Sequence, residues 1–376
     1  MKKWMWCLST LLFVSANALS EENNGQGNSA LDKGMLKVSQ VTQFDGVPWG
    51  ISLINDQEAI ITIKTGEAYR VNLLNGKQQA LVGLPEVDYR GQGGLLDVAR
   101  SPHFAKDSWV YFTYAKPTNQ GAATTLARAK LVGNTLSQWQ NLLVTDSASS
   151  KTQHYGSRIA FDDKNHVFFS IGDRGTRANS QDLTNHAGSI IRLYLDGSVP
   201  ADNPFANDNN IRSEIWSYGH RNPQGLFYDL TTQTLWSNEH GPRGGDEINL
   251  IRASANYGWP VVSHGKEYWG PINIGEGQEK EGIESPIKVY IPSIAPSSLI
   301  RYQGTVFPNW KGDFISTALV LRHLNRVSID KEGNTMESRY LDDINERLRT
   351  LAQDSTGILY IGTDSGKLLK VSRTDK

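Results

Sequence analysis

The chain has 376 residues, of which 38% are hydrophobic, and a formal net charge of −1. That length can bury a sizeable core, and the near-neutral balance gives no electrostatic bias toward nucleic acid or an anionic membrane, so a small molecule is the expected partner. The 35 glycines and 10 tryptophans, against 4 methionines, suit many turns between short strands and argue against a helical bundle.

Residues 1–18 run from basic Lys2-Lys3 through apolar Leu11-Leu12-Phe13-Val14 to the small-residue end Ala16-Asn17-Ala18. This is the order of a secretory signal peptide, cleaved after Ala18, and its apolar stretch is too short to span a bilayer. A bacterial periplasmic location without membrane insertion is expected. Cys7, the only cysteine, lies inside this leader, so the mature chain is expected to use neither disulfides nor thiolate chemistry. Residues 19–34, rich in Asn, Gly, Ser and acids without apolar periodicity, read as a disordered tether, and one domain follows over 35–376.

From there a strand–turn–strand unit recurs. The first unit pairs Trp49-Gly50-Ile51-Ser52-Leu53 with Ile60-Ile61-Thr62-Ile63, and the second pairs Gly94-Leu95-Leu96-Asp97-Val98 with Trp109-Val110-Tyr111-Phe112-Thr113. Further copies begin at Ser157, Gly225, Ser298 and Leu348. Six units spaced roughly 45 to 75 residues apart leave room for four strands each, which predicts an all-β, six-bladed β-propeller. Leu36-Lys37-Val38-Ser39-Gln40-Val41 is expected to pair beside Leu368-Leu369-Lys370-Val371 and close the ring, removing its free edges. Two β-sandwiches would need a linker, and no such segment is visible.

A propeller gathers residues from distant blades around an axial pocket. His154 precedes the third unit and Asp173 follows its second strand at Ile171-Gly172-Asp173, so a hairpin can bring them together as an imidazole oriented by a carboxylate, able to act as a general base. Arg221 and Asn222 stand at the same point of the next unit, and Arg347 and Arg349 at that of the last, on one strand face by alternation. Converging arginines call for an anionic ligand, while salt bridges to neighbouring acids would serve any one of them singly. The bent turn from Asn238 to Glu247 turns carbonyls outward. It can hold calcium through Gly241 and Pro242 carbonyls or through Glu247, or be an ordinary polar turn. Trp49, Tyr155, Trp259 and Trp269 fall near this mouth and can either stack on a sugar or pack in the core.

Over residues 46–371 the chain resembles the soluble glucose/sorbosone dehydrogenase family, most closely its aldose sugar dehydrogenase branch. The likeness rests on Gly91-Gln92-Gly93-Gly94-Leu95-Leu96-Asp97, His154-Tyr155-Gly156-Ser157-Arg158, Tyr218-Gly219-His220-Arg221-Asn222-Pro223, Glu239-His240-Gly241-Pro242, Asp246-Glu247-Ile248-Asn249 and Asn256-Tyr257-Gly258-Trp259-Pro260, in that order. The resemblance implies a six-bladed propeller that binds pyrroloquinoline quinone (PQQ) and calcium. By it His154 is the general base, Asp173 its orienting carboxylate, and Gln92, Arg221 and Asn222 contact PQQ or substrate. Arg347 and Arg349 hold the cofactor's carboxylates, Gly241 and Pro242 give carbonyls to the calcium under the quinone, and Glu247 and Tyr257 bind a second, structural calcium, Tyr257 through its carbonyl. Val320 stands where the family usually has a lysine reaching PQQ, and Arg322, two residues on, is expected to replace it if the strand is regular. Ser293 stands where threonine can occur.

The activity so implied is oxidation of an aldose at the anomeric carbon to the lactone, by a monomer or homodimer, with Arg221 expected to act beside His154 and Asp173 by stabilising the oxyanion that develops on the quinone. The chain has no haem attachment motif or iron–sulfur cysteine set, so electrons pass to an external acceptor. A calcium-dependent propeller lactonase and a non-catalytic binding propeller are the alternatives. The arginines argue against the first, and Val320 favours the second.

Overall fold

The computed structural model describes residues 34–374; the leader with Cys7, and the tether apart from Gly34, lie outside the described residues. Six four-stranded antiparallel sheets follow one another in chain order. Blades one to five occupy residues 48–80, 95–144, 159–218, 223–290 and 296–340, and blade six takes three strands from 348–373 and one from the start of the domain. That last strand, Leu36–Gln43, pairs antiparallel with Lys367–Arg373, Val38 opposite Val371 and Gln40 opposite Leu369, so the closure expected from the sequence is present. Among the described residues no helix is long and apolar enough to cross a membrane.

The innermost strands pack on one another around the ring: Pro48–Asn55 lies between Leu95–Arg100 and Leu348–Gln353, and the same neighbour relation runs through Ile159–Phe161, Pro223–Asp229 and Pro296–Arg301. Second strands such as His166–Ser170, Phe314–Ala318 and Leu359–Thr363 are buried on both faces, because each is covered by a blade on either side. Their apolar content is therefore nearly continuous, whereas the outer strand Thr135–Val144 alternates toward solvent. The core is a set of wedges between blades. Ile60 meets Phe112 between blades one and two, and Trp310, Tyr340 and Ile361 meet between five and six. Trp310 stacks on Phe307 with centroids 4.6 Å apart, and burying such a ring stabilises the fold by about 1.5–3 kcal/mol.

At the hub one side chain ties the ring together. Arg158 of blade three donates to Trp49 O (3.2 Å), Asp97 Oδ1 (3.0 Å), Gln224 O (2.8 Å), Ser297 Oγ (3.4 Å) and Arg349 O (3.1 Å), one acceptor from each of the other five blades. In a four-stranded meander the loop before strand one and the turn between strands two and three emerge at the same end. Those two connections carry nearly every residue singled out above.

Candidate active site

That end opens into a cavity of about 570 Å³ on the ring axis, lined by residues of blade-entry loops and second turns. His154 is in its wall with a backbone φ of +56°, a left-handed conformation held by Gln92, whose Oε1 accepts the His154 N–H at 2.7 Å. His154 Nδ1 lies 2.6 Å from Asp173 Oδ1, and the other oxygen of that carboxylate accepts the Trp259 indole N–H at 2.8 Å. Ionised, Asp173 can only accept, so Nδ1 carries the proton and Nε2 is left with a lone pair. Burial, opposed by Asp173 and reinforced by Arg221, holds the His154 pKa below its ordinary value. Burial pushes Asp173 up, but the hydrogen bonds from His154 and Gly175 and the Arg221 charge outweigh it and keep its carboxyl low. The pair is a neutral imidazole on a carboxylate, the arrangement of a general base.

Arg221, expected to contact PQQ or substrate, lines the cavity and is also held by its own chain: its Nη1 donates to His240 O (3.0 Å) and Gly241 O (2.9 Å), and its backbone N–H to Glu239 Oε2 (2.8 Å). Asn222 Oδ1 accepts from Gly156 N at 3.2 Å. The turn at Gly241 is closed so tightly that a Cβ there would sit 2.0 Å from Gly245 O. Ser293 Oγ lies 3.3 Å from Pro242 O and 2.9 Å from Asp246 Oδ1, and can donate to one of them at a time. Each carbonyl has two lone pairs, so Gly241 and Pro242 keep acceptor capacity for a cation. Burial pushes Asp246 up to about 6. His240, also in the wall, binds Pro296 O through Nε2 at 2.7 Å, and burial pushes it down to about 3, which keeps it neutral.

Arg347 and Arg349 do share a face, as alternation requires, and both meet Asp364: Arg347 Nε reaches Oδ2 at 2.7 Å and Arg349 Nε reaches Oδ1 at 2.8 Å. One carboxylate thus faces two guanidinium groups, so the salt-bridge reading accounts for part of their charge. Burial pushes Asp364 up, but the two arginines prevail and hold it low. Lys64 joins the same wall. Arg322 does not. The strand Phe314–Ala318 ends before it, its φ of +51° breaks the alternation, and its exposed side chain turns to Asn345 Oδ1 at 2.8 Å. The expectation that it replaces a lysine is corrected accordingly, while Val320, 56% exposed, lines the cavity as a neutral residue.

Beside the cavity, Glu247 stands directly opposite Glu239 across two antiparallel strands. Asn249 Nδ2 bridges them at 3.1 Å to each, and burial together with the Glu239 charge pushes Glu247 up to about 8. Like charges placed opposite one another destabilise a sheet unless a cation intervenes. Tyr257 lines the same recess, but its hydroxyl is occupied by Leu250 O at 2.6 Å, which leaves its carbonyl for a ligand. Among the described residues no group of three or more His, Cys, Asp or Glu is arranged to hold a metal.

The aromatic residues divide. Trp49 and Tyr155 line the cavity yet are buried against one another's cluster, with the Arg158 and Arg174 guanidinium groups on their faces. Trp259 braces Asp173, and Trp269, 75% exposed, is not among the lining residues. Lys64, His240, Asp246, Tyr268 and Asp364 line or brace the cavity and were not singled out from sequence. His240 and Asp246 lie inside two of the motifs quoted for the family resemblance but were given no role of their own; Lys64, Tyr268 and Asp364 sit in none of them, although Asp364 follows its strand as Asp173 follows its own.

The sequence model of the family described as Glucose / Sorbosone dehydrogenase matches residues 46–370. The aldose sugar dehydrogenase YliI of Escherichia coli is 36% identical over 337 residues, covering 86% of this chain and 90% of that protein. Quinoprotein glucose dehydrogenase B of Acinetobacter calcoaceticus is 32% identical, with coverage of 80% and 79%. The crystal structure of the soluble aldose sugar dehydrogenase from Escherichia coli in its apo-form superposes with a TM-score of 0.86 at 34% identity, covering 90% of this chain and all of that one. With its propeller, its axial cavity and these relatives, the chain belongs to the glucose/sorbosone dehydrogenase family and is an oxidoreductase of the sugar dehydrogenase type.

Proposed function

We propose that the chain oxidises an aldose at the anomeric carbon to the lactone, with PQQ and calcium in the axial cavity and an external acceptor for the electrons. The carrying observation is the His154 Nδ1–Asp173 Oδ1 contact of 2.6 Å beside a wall rich in cations. Lys64, Arg221, Arg243, Arg347 and Arg349 line the wall against Asp246, with Asp364 bonded to Arg347 and Arg349, a balance that suits a polycarboxylate such as PQQ. Gln92, Asn222, Ser293, Arg347 and Arg349 would hold the cofactor. Oxygen donors at Gly241 and Pro242 suit calcium, and the opposed carboxylates of Glu239 and Glu247 with the Tyr257 carbonyl suit a second ion. PQQ, when bound, supplies the two-electron acceptor, and calcium polarises it as a Lewis acid.

The chain's own part is proton handling and orientation. His154 Nε2 accepts the proton of the anomeric hydroxyl, Asp173 stays ionised and offsets the positive charge of the resulting imidazolium, and Trp259 keeps the carboxylate aligned. Arg221 holds a fixed positive charge beside the Gly241 carbonyl. The order of basic, apolar and small residues at 1–18 supports action in the periplasm.

The test is to add PQQ and Ca²⁺ to the protein and follow quinone absorbance together with aldose-dependent dye reduction. A lactonase would hydrolyse lactones without reducing dye, and a binding propeller would do neither.

A further inference from the structure

Lys64 directly follows the strand Glu58–Ile63 of blade one, and its backbone is clamped from two sides. Its N–H donates to Val47 O at 2.9 Å, and its carbonyl accepts from Leu95 N of blade two at 3.1 Å. The side chain therefore leaves a rigid bridge between two blades and runs into the cavity wall. There Nζ donates to the carbonyl of Gly91 and lies 5.1 Å from the centroid of the Tyr89 ring. Among the described residues Lys64 forms no ion pair. Asp364, the acid whose charge it feels, is already shared by Arg347 and Arg349.

This ammonium is thus half-withdrawn from water, within reach of the Arg349 charge, with a neutral carbonyl as its partner. Burial and the repulsion of Arg349 both work against its charge. A cation held in such a place gains most from an anion entering the cavity, because partial desolvation strengthens the attraction. Val320 adds no charge where it lines the wall, so the cations on this side of the cavity are Lys64 of blade one and Arg347 and Arg349 of blade six, with Arg221 and Arg243 of blade four elsewhere in the lining.

We infer that Lys64 is a ligand-binding residue of the cavity, its Nζ gripping a carboxylate of the cofactor jointly with Arg349. The inference rests on the reading of the cavity as a PQQ site and adds a specific contact to it. A purely structural role is the competing account. Gly91 precedes Gln92, whose side chain holds the His154 backbone, so Lys64 could act only as a tether for that loop.

Two substitutions separate these roles. Lys64→Gln keeps a donor for Gly91 O and removes the charge, and Lys64→Arg keeps the charge. PQQ is titrated into the calcium-loaded wild-type protein and each variant, with binding followed by quenching of tryptophan fluorescence. At low ionic strength K64Q is expected to bind about 10- to 100-fold more weakly and K64R within about threefold of wild type, with the K64Q deficit shrinking as salt rises. The PQQ trimethyl ester, which lacks the carboxylate charges, is expected to bind K64Q and wild type alike. K64Q binding of PQQ within about twofold of wild type, or an equal loss with the ester, overturns the Lys64 assignment and leaves the cofactor reading standing. A folded wild-type protein that takes up no PQQ overturns both.

Discussion

Trp259 donates its indole N–H to Asp173 Oδ2 at 2.8 Å, and so fixes from the far side the carboxylate that orients His154. Removing that donor leaves the imidazole and carboxylate in place but frees the carboxylate to rotate. Trp259→Phe is expected to lower kcat about tenfold with KM nearly unchanged, a split that steady-state kinetics of the PQQ-loaded enzyme would show. A raised KM with kcat nearly unchanged would assign Trp259 to substrate binding instead.

The charge of Asp173 favours protonated His154, while burial and Arg221 oppose it with the larger effect. A protonated imidazole cannot accept the substrate proton, so kcat/KM is expected to fall as pH drops through a value below the ordinary histidine pKa of about 6.5. In Asp173→Asn the imidazolium loses its counter-charge. The acid limb is expected to move to still lower pH, while the plateau drops by about 10²–10⁴-fold. A limb that moves upward would contradict the assigned direction.

Arg158 and Asp97 form a buried pair at the hub, where burial pushes the Asp97 carboxyl up and the Arg158 charge opposes it. Arg158→Met strands the carboxylate and removes bonds to all five other blades. Urea unfolding is expected to show a loss of about 3–5 kcal/mol, and Asp97→Asn in the same background should recover part of it.

Glu247 makes a pH-dependent contribution whose sign follows from its raised pKa. The folded protein holds a proton there that the unfolded chain releases near its ordinary value of 4.5, so this stabilisation is complete below 4.5 and is lost as pH rises through about 8. In chelator the wild type is expected to lose melting temperature toward pH 8 relative to Glu247→Gln, by roughly 2–4 °C. Added calcium should restore it, and more at pH 8 than at pH 5, because a cation needs the ionised pair. An E247Q protein with the full calcium response would place the ion elsewhere.

The propeller was legible because each blade opens with two strands whose apolar runs and intervening polar turn are local features, and because Val38 and Val371 carry matching strand patterns at the two ends. His154 and Asp173 were legible for the same reason, since one hairpin joins them. Partners brought together by the ring left no such trace. Asp364 meets Arg347 and Arg349 only after the turn between the second and third strands of blade six returns to the cavity end, and Lys64 faces them from blade one. Arg322 misled because period-two reasoning was carried past Ala318, where the strand had ended and the backbone turns left-handed. Glu239 was read as part of a turn, although the register sets it opposite Glu247.

The most direct test is a rapid-mixing experiment on PQQ- and calcium-loaded wild type and His154→Ala, following reduction of the bound quinone by aldose in a single turnover. The expected result is equal quinone occupancy and a rate lowered by about 10²–10⁴-fold in the variant. Reduction at the wild-type rate in the variant, or no aldose-dependent reduction in the loaded wild type, would contradict the assignment.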